Sequence, residues 1–224
     1  AARTKRVTAG PATTLEMKRD GKHPNRLVFR ALDAKGNFAP RCNNTVFVND
    51  PAKIILGMDN GNPIDVTQHT KLRRHLFHGL ALAKINSRGK YTIHSGVIFG
   101  KQLFEKSTTI ALTKHEFRCG WMGPALPPSK RVPYRAVTHY TLDGSEPGLE
   151  SPKYTKPFTI DKTTTIKAVA FVNNKAVLRM EETFVKGKAT PVTDPRLRTE
   201  GDSAGKPTKP GEKPAKGGKA KKPK

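Results

Sequence analysis

The alternation of side chains in residues 163–171 constrains the fold of this chain most, because it is typical of a β-strand. Ile166, Ala168 and Ala170 would share one face of that strand, and the residues between them would share the other. Residues 139–142 are also rich in β-branched and aromatic side chains, so we expect a second strand there. The intervening residues 143–147 read Asp-Gly-Ser-Glu-Pro, which favours a turn. The sequence therefore predicts a small all-β module.

Short runs of the same kind, separated by turn-forming residues, occupy the first half of the chain. The predicted strands are residues 27–32, 45–48 and 54–56, and the predicted turns are residues 33–36 and 59–63. This spacing is typical of a β-sandwich. Residues 70–82 are different, because their apolar side chains also recur at nearly helical spacing, which leaves a basic amphipathic helix open.

Composition limits the domain count and the kinds of partner. A chain of 224 residues with 19 Gly and 18 Pro can hold two small domains built of short strands and turns. The formal net charge is +24, and basic residues exceed acidic ones by 12 in residues 1–113, by 5 in 114–186 and by 7 in 187–224. Because the excess of basic residues is spread over all three parts, it favours a general affinity for polyanions over one defined nucleic-acid site. No apolar run reaches the length of about 18 residues that predicts a transmembrane helix.

Two segments lack the strand pattern. Residues 114–133 are a predicted linker rich in Pro and Gly. Residues 187–224 consist mainly of Lys, Pro, Gly and Ala and have too few apolar side chains to form a core, so we predict a disordered tail. Lysines of such a tail can bind phosphate backbones or acidic polysaccharides through counterion release, and a solvated solubility tail is the alternative. The candidate polyanion contacts are Lys206, Lys209, Lys213, Lys216, Lys219, Lys221, Lys222 and Lys224.

Residues 139–171 resemble the C-terminal domain found after chitobiase and β-hexosaminidase catalytic domains. The hallmark of that family is a Tyr-Thr-x-Asp-Gly-Ser-x-Pro turn, here residues 140–147, followed by Ser-Pro-x-Tyr, here residues 151–154. The resemblance implies a small immunoglobulin-like module over residues 134–186 that carries no catalytic residues. It assigns Tyr140 and Tyr154 to packing, and Trp121 and Tyr134 then remain as candidate carbohydrate contacts.

Residues 7–113 are similar to the immunoglobulin-like C-terminal domain of bacterial β-galactosidases of glycoside hydrolase family 2. The most specific motif is Asp-Asn-Gly-Asn-Pro at residues 59–63, followed by an Arg-containing loop and Phe-His-Gly-Leu-Ala-Leu at residues 77–82. Asp50 is a departure, because the family usually has Gly there. The resemblance implies that the stretch from residue 70 is a loop leading into a strand, and not a helix.

Together these features predict an all-β chain of two immunoglobulin-like β-sandwich domains plus a disordered basic C-terminal tail. The first domain would span residues 1–113 and the second residues 134–186.

A glycosidase normally needs two carboxyl groups that face each other across the scissile bond. The acidic residues offer only neighbours in turns or on opposite strand faces, namely Asp59 with Asp65, Asp143 with Glu146, and Glu181 with Glu182. We therefore predict no catalytic residue in this chain. In the β-galactosidase family, the catalytic glutamates lie in a barrel far upstream.

The sequence also predicts no metal site and no cofactor. His69, His75 and His78 have no nearby Cys and no third ligand at a standard spacing. The glycines of residues 57–61 lack the Lys and Ser or Thr that a phosphate-binding loop requires. Cys42 and Cys119 have no spacing motif, which leaves both a disulfide and two free thiols open.

The functional prediction is a non-catalytic C-terminal accessory region of a β-galactosidase-like glycoside hydrolase. Its partners would be an upstream catalytic domain and, through the sandwich domains, carbohydrate or a surface. The alternative is a structural or polyanion-binding, nucleic-acid-associated protein that uses β-sandwiches as a scaffold. The resemblance implies an extracellular or periplasmic location, and the first six residues, which lack Met and an apolar signal core, predict a processed or excised piece.

Overall fold

The computed structural model describes residues 9–86, 91–119 and 136–188, and the regular structure within them consists of β-strands. The strands are β1 Ala12–Arg19, β2 Arg26–Asp33, β3 Thr45–Asn49, β4 Ile55–Asp59, β5 Arg73–His75, β6 Leu80–Ile85, β7 Tyr91–Phe99, β8 Leu103–Phe104, β9 Thr108–Cys119, β10 Val137–Thr141, β11 Phe158–Ile160, β12 Thr164–Val172 and β13 Lys175–Lys186. The prediction of an all-β fold is confirmed.

These strands form three sheets. The first sheet has the order β1-β2-β6-β4, the middle sheet β11-β9-β7-β3-β5, and the third sheet β10-β12-β13-β8. With β5 set aside, strands β1 to β9 of the first two sheets follow the order A-B-E-D and G-F-C of an immunoglobulin constant-type sandwich. The immunoglobulin-like architecture predicted for the first domain is therefore present.

Side chains of the middle sheet point alternately into two hydrophobic cores. In β7, Val97 and Phe99 belong to the core shared with the first sheet, and Ile98 between them belongs to the core shared with the third. In β9, Ala111 and Leu112 divide between the two cores in the same way. The molecule therefore contains two sandwiches, and they share their central sheet.

Two short strands cross between the predicted domains. β8, which follows β7 of the first sandwich, pairs in parallel with β13 of the third sheet. β11, which lies in the second predicted domain, pairs with β9 at the edge of the middle sheet. The sheet that belongs to residues 134–186 consequently obtains both an edge strand and its opposing sheet from the first domain.

Strand β9 continues to Cys119, beyond the predicted domain boundary at residue 113. Residues 114–119 complete an antiparallel ladder with β7 that ends with Cys119 opposite Tyr91. They are therefore strand, and only residues after 119 remain available for the linker that we predicted from residue 114.

The third sheet approaches the middle sheet closely because β7 has a glycine at the contact. A methyl group on Gly96 would lie 2.5 Å from Met180 Sδ and 2.7 Å from Leu178 Cδ2, both on β13. These distances are shorter than van der Waals contact, so a side chain at this position would force Met180 and Leu178 to move.

Local structure agrees with the predicted turns and with the extended interpretation of residues 70–82. Gly61 and Gly144 occupy the predicted turns with φ of 71° and 78°. β5 lies within residues 70–82 and β6 begins there, so this stretch is extended and does not form the helix that its periodicity allowed. Asp50, the departure from the family pattern, is buried, and its Oδ2 accepts a hydrogen bond of 2.6 Å from the Ile55 amide.

Candidate functional site at the junction of the two sandwiches

The Asp-Asn-Gly-Asn-Pro motif is part of a buried network centred on Arg74. The Arg74 side chain is fully buried, and its Nη1 lies 3.3 Å from Asp65 Oδ1. Its Nη2 donates to the backbone carbonyl of Met58 at 2.9 Å. Asn60 Nδ2 donates to Asp65 Oδ2 at 2.7 Å and to the carbonyl of His75 at 2.9 Å. These contacts tie the loop after β4 to strand β5, so the motif has a structural role.

The network keeps Asp65 ionised. Hydrogen bonds from Thr67 lower the pKa of Asp65 most, and Arg74 and Asn60 lower it further against the opposing effect of burial. A carboxyl group with a depressed pKa cannot donate a proton near neutral pH, which a glycosidase acid must do.

Asp143 and Glu146, which we considered as another catalytic pair, have separate structural roles. Asp143 accepts hydrogen bonds from the Ser145 hydroxyl at 2.6 Å and the Ser145 amide at 2.9 Å, and these bonds lower its pKa. Glu146 forms an ion pair with Arg179 on β13. Each carboxylate is thus accounted for by turn geometry or by a neighbouring cation.

The three histidines do not converge. His69 Nδ1 lies 3.0 Å from the carbonyl of Met58, and His75 Nδ1 is hydrogen-bonded to Thr45 Oγ1 at 3.0 Å. His78 instead contacts the edge of the neighbouring Phe77 ring. Within the described ranges, no group of three or more His, Cys, Asp or Glu side chains is arranged to hold a metal ion.

Cys42 carries a free thiol in the core of the first sandwich. Burial raises the pKa of Cys42 to about 11, and its Sγ lies 3.5 Å from Asn44 Oδ1. It is therefore protonated and unreactive at neutral pH. The side chain of Cys119 lies outside the described part of the chain.

The two motif tyrosines pack as predicted. Tyr140 stacks on Phe158 with ring centroids 4.9 Å apart, and Tyr154 meets Tyr140 edge to face at 6.4 Å. The candidate carbohydrate contacts Trp121 and Tyr134 and the eight tail lysines in residues 206–224 lie outside the described residues.

A polar cluster that the sequence analysis missed lies between the middle and third sheets. Glu182 of β13 accepts a hydrogen bond of 2.8 Å from Gln102 Nε2. Burial raises the pKa of Glu182, and the nearby Thr45 hydroxyl and the hydrogen bond from Gln102 oppose part of that rise. The sequence signal that indicates a buried Glu182 is its place in β13. Leu178, Met180 and Phe184 share its alternation and point into the second core.

The junction also contains a cleft of about 450 Å³. Strands β3 and β5 of the middle sheet line one side of it, and β12, β13 and the turn residue Glu146 line the other. Neither predicted domain contains this cleft alone, because its two sides come from different domains.

No helix in the described part of the chain is both long enough and apolar enough to cross a membrane.

Comparison with protein families agrees with both resemblances. Residues 11–94 match the family described as Glycoside hydrolase family 2 C-terminal domain 5. Residues 131–180 match the family described as Chitobiase/beta-hexosaminidase C-terminal domain. The two recognised families and their order along the chain are thereby confirmed.

Two curated proteins are similar in sequence. A putative beta-glucuronidase from Formosa agariphila is 30% identical over 165 residues, which cover 70% of this chain and 15% of that protein. Beta-galactosidase BoGH2A from Bacteroides ovatus is 36% identical over 72 residues, which cover 32% of this chain and 8% of that protein. The chain thus corresponds to a small share of these relatives.

Proposed function

We propose that this chain is a non-catalytic accessory region of a glycoside hydrolase of the β-galactosidase and β-glucuronidase type. The main support is the succession of a glycoside hydrolase family 2 C-terminal domain and a chitobiase-type domain in one chain. The relatives that carry glycosidase names contain the matched segment as 15% and 8% of their length. Most of such a protein, including its catalytic part, would therefore lie outside the residues of this chain.

The geometry supports this proposal. Asp143, Asp65 and Glu182, one member of each carboxyl pair considered, are engaged in a turn, in the Arg74 network and in the junction between the sheets. The shared middle sheet, buried on both faces, gives the two domains a rigid connection. Such a unit is suited to orient or space a neighbouring catalytic part and to contact carbohydrate or a surface.

Hydrolysis assays test the proposal. Pure chain incubated with a chromogenic β-galactoside and with a chromogenic β-glucuronide is expected to release no chromophore above buffer. A larger polypeptide that continues the reading frame upstream through a barrel with two catalytic glutamates is expected to hydrolyse one of them. Turnover by the pure chain, or an upstream frame without such a barrel, would contradict the proposal.

A second candidate function is association with polyanions, and one contact on the first sheet favours it. Arg26 and Lys84 lie directly opposite each other on β2 and β6, and both are exposed. Like charges in this arrangement are unfavourable for the sheet itself, and an anionic partner would relieve the repulsion. Binding to duplex DNA should then weaken steeply with salt and should survive deletion of residues 187–224. Loss of all binding with that deletion would rule out a role for the sandwiches.

A further inference from the structure

The junction cleft has the size and position of a ligand site. Its volume of about 450 Å³ lies within the range of about 300–1,000 Å³ typical of small-molecule sites, which occur preferentially at domain interfaces. Phe47 of β3 contributes apolar surface to one side, and the third sheet supplies the other side. The cleft thus combines surface from both domains around one opening.

Positive charge predominates on the walls of the cleft. Four basic side chains line it, of which Arg179 is paired with Glu146 and Lys167 lies opposite Glu181 on the neighbouring strand. Lys71 and Arg73 complete the basic set, and no further acidic residue lines the cleft.

Glu182 is the remaining acidic group near Arg73, but it does not neutralise the opening. It lies inside the junction, where it accepts the hydrogen bond from Gln102 and interacts with Arg73 through charge alone. The surface that a ligand would meet at Lys71 and Arg73 is therefore basic.

The combination of apolar surface with Lys71 and Arg73, two cations that no carboxylate lining the cleft pairs with, indicates the class of ligand. Arginine binds carboxylates through two parallel hydrogen bonds, and lysine adds a mobile point charge. A carboxylated sugar ring offers acidic oxygens to these cations and C–H surface to Phe47 and Leu72, which both line the cleft. An inorganic anion would leave the apolar surface unused.

We propose that the junction cleft binds an oligosaccharide that carries carboxylate groups, with Lys71 and Arg73 as its main anion contacts. This inference deepens the proposed accessory function and rests on it for the choice of a saccharide over an acidic peptide. The third sheet is essential to the site, because the cleft does not exist without β12 and β13.

The test is a titration of the full chain with tetragalacturonate, followed by amide chemical shifts and by calorimetry. Neutral galactotetraose and tetraglutamate, used at the same concentrations, separate the contributions of the sugar and of the charge. The double variant Lys71→Gln/Arg73→Gln is compared with Lys22→Gln/Lys35→Gln, which removes the same charge from exposed turns on either side of β2. Thermal unfolding of both variants verifies that each one folds.

The proposal expects tetragalacturonate to shift the amides of β3, β5 and β12 and to bind at least about tenfold more tightly than galactotetraose. The cleft variant should lose about tenfold in affinity, and the matched control should stay within about twofold. Absence of tetragalacturonate binding, equal losses in both variants, or tighter binding of tetraglutamate would each overturn it. These results do not depend on the hydrolysis assays, so the cleft and the accessory function can fail separately.

Discussion

Glu182 on β13 accepts a hydrogen bond of 2.8 Å from the side-chain amide of Gln102, which precedes β8. The bond joins residues 80 positions apart and connects the second predicted domain to the first. Its acceptor is a carboxylate on the face of β13 that points toward the second core, so we expect the stability of the junction to depend on pH.

Replacement of Glu182 by Gln should make the stability less dependent on pH. Burial raises the pKa of Glu182 in the folded protein. The protonated carboxyl therefore stabilises the folded state fully below its unfolded pKa of about 4.3, and this stabilisation is lost as the pH rises through the folded pKa. Glu182→Gln keeps the acceptor for Gln102 without a charge. Urea unfolding should show the variant gaining stability relative to the parent between about pH 4 and pH 8. A difference that is constant over this range would show that Glu182 does not titrate at the junction.

Removal of the Arg74 guanidinium should strongly destabilise the first sandwich. Arg74→Met leaves Asp65 buried without its cation and should cost about 3 kcal/mol of unfolding free energy, as expected for breaking a buried ion pair. The matched control is Arg73→Met on the exposed side of the same strand, which should change stability by no more than about 0.5 kcal/mol. Urea titration near pH 7 measures both values, and equal effects of the two variants would contradict a special role for Arg74.

A methyl group at Gly96 should separate the middle and third sheets. Gly→Ala in a strand ordinarily stabilises a protein slightly through the unfolded state, but here the new carbon would lie 2.5 Å from Met180 Sδ. We expect Gly96→Ala to lose about 2 kcal/mol through overpacking. Gly21→Ala is the control, since no atom lies within 4 Å of its added carbon. A melting temperature for Gly96→Ala at or above that of the parent would show that the sheets can shift without cost.

Residues 134–188 should not fold alone, although they contain the whole match to the chitobiase-type family apart from its first residues. Without the first domain, the third sheet loses β8, and Ile166, Leu178 and Phe184 face water instead of the middle sheet. A domain of this size is marginal even with a complete core. Circular dichroism and amide dispersion should report an unfolded fragment, whereas residues 9–188 should unfold cooperatively. Cooperative unfolding of the fragment would show that the two sandwiches are independent.

The strands and turns were predictable because their signals are local. The alternation of Ile166, Ala168 and Ala170 put these residues in one core, and Gly144 occupies the turn that its neighbours favoured. For residues 70–82, periodicity allowed both helix and strand, and the family resemblance selected the extended form that β5 and β6 adopt.

The arrangement of the domains was not predictable in the same way. Nothing near Leu103 indicates that it pairs with Val185, and nothing near Phe158 indicates that it pairs with Ile110. A strand edge can bond to any other edge, and the choice depends on which sheets are already packed together. The junction cleft was missed for this reason, since its walls come from strands that are far apart in sequence.

The sequence by itself determined the all-β fold, the two domain types and their order, because strand periodicity, turn chemistry and family motifs are written in short stretches of residues. The tertiary structure alone decided that the two sandwiches share one sheet and that Glu182 and Arg73 lie at their junction. The physical reason is that burial of the middle sheet on both faces is a property of the packed sheets, and it appears only when the residues of both domains are brought together.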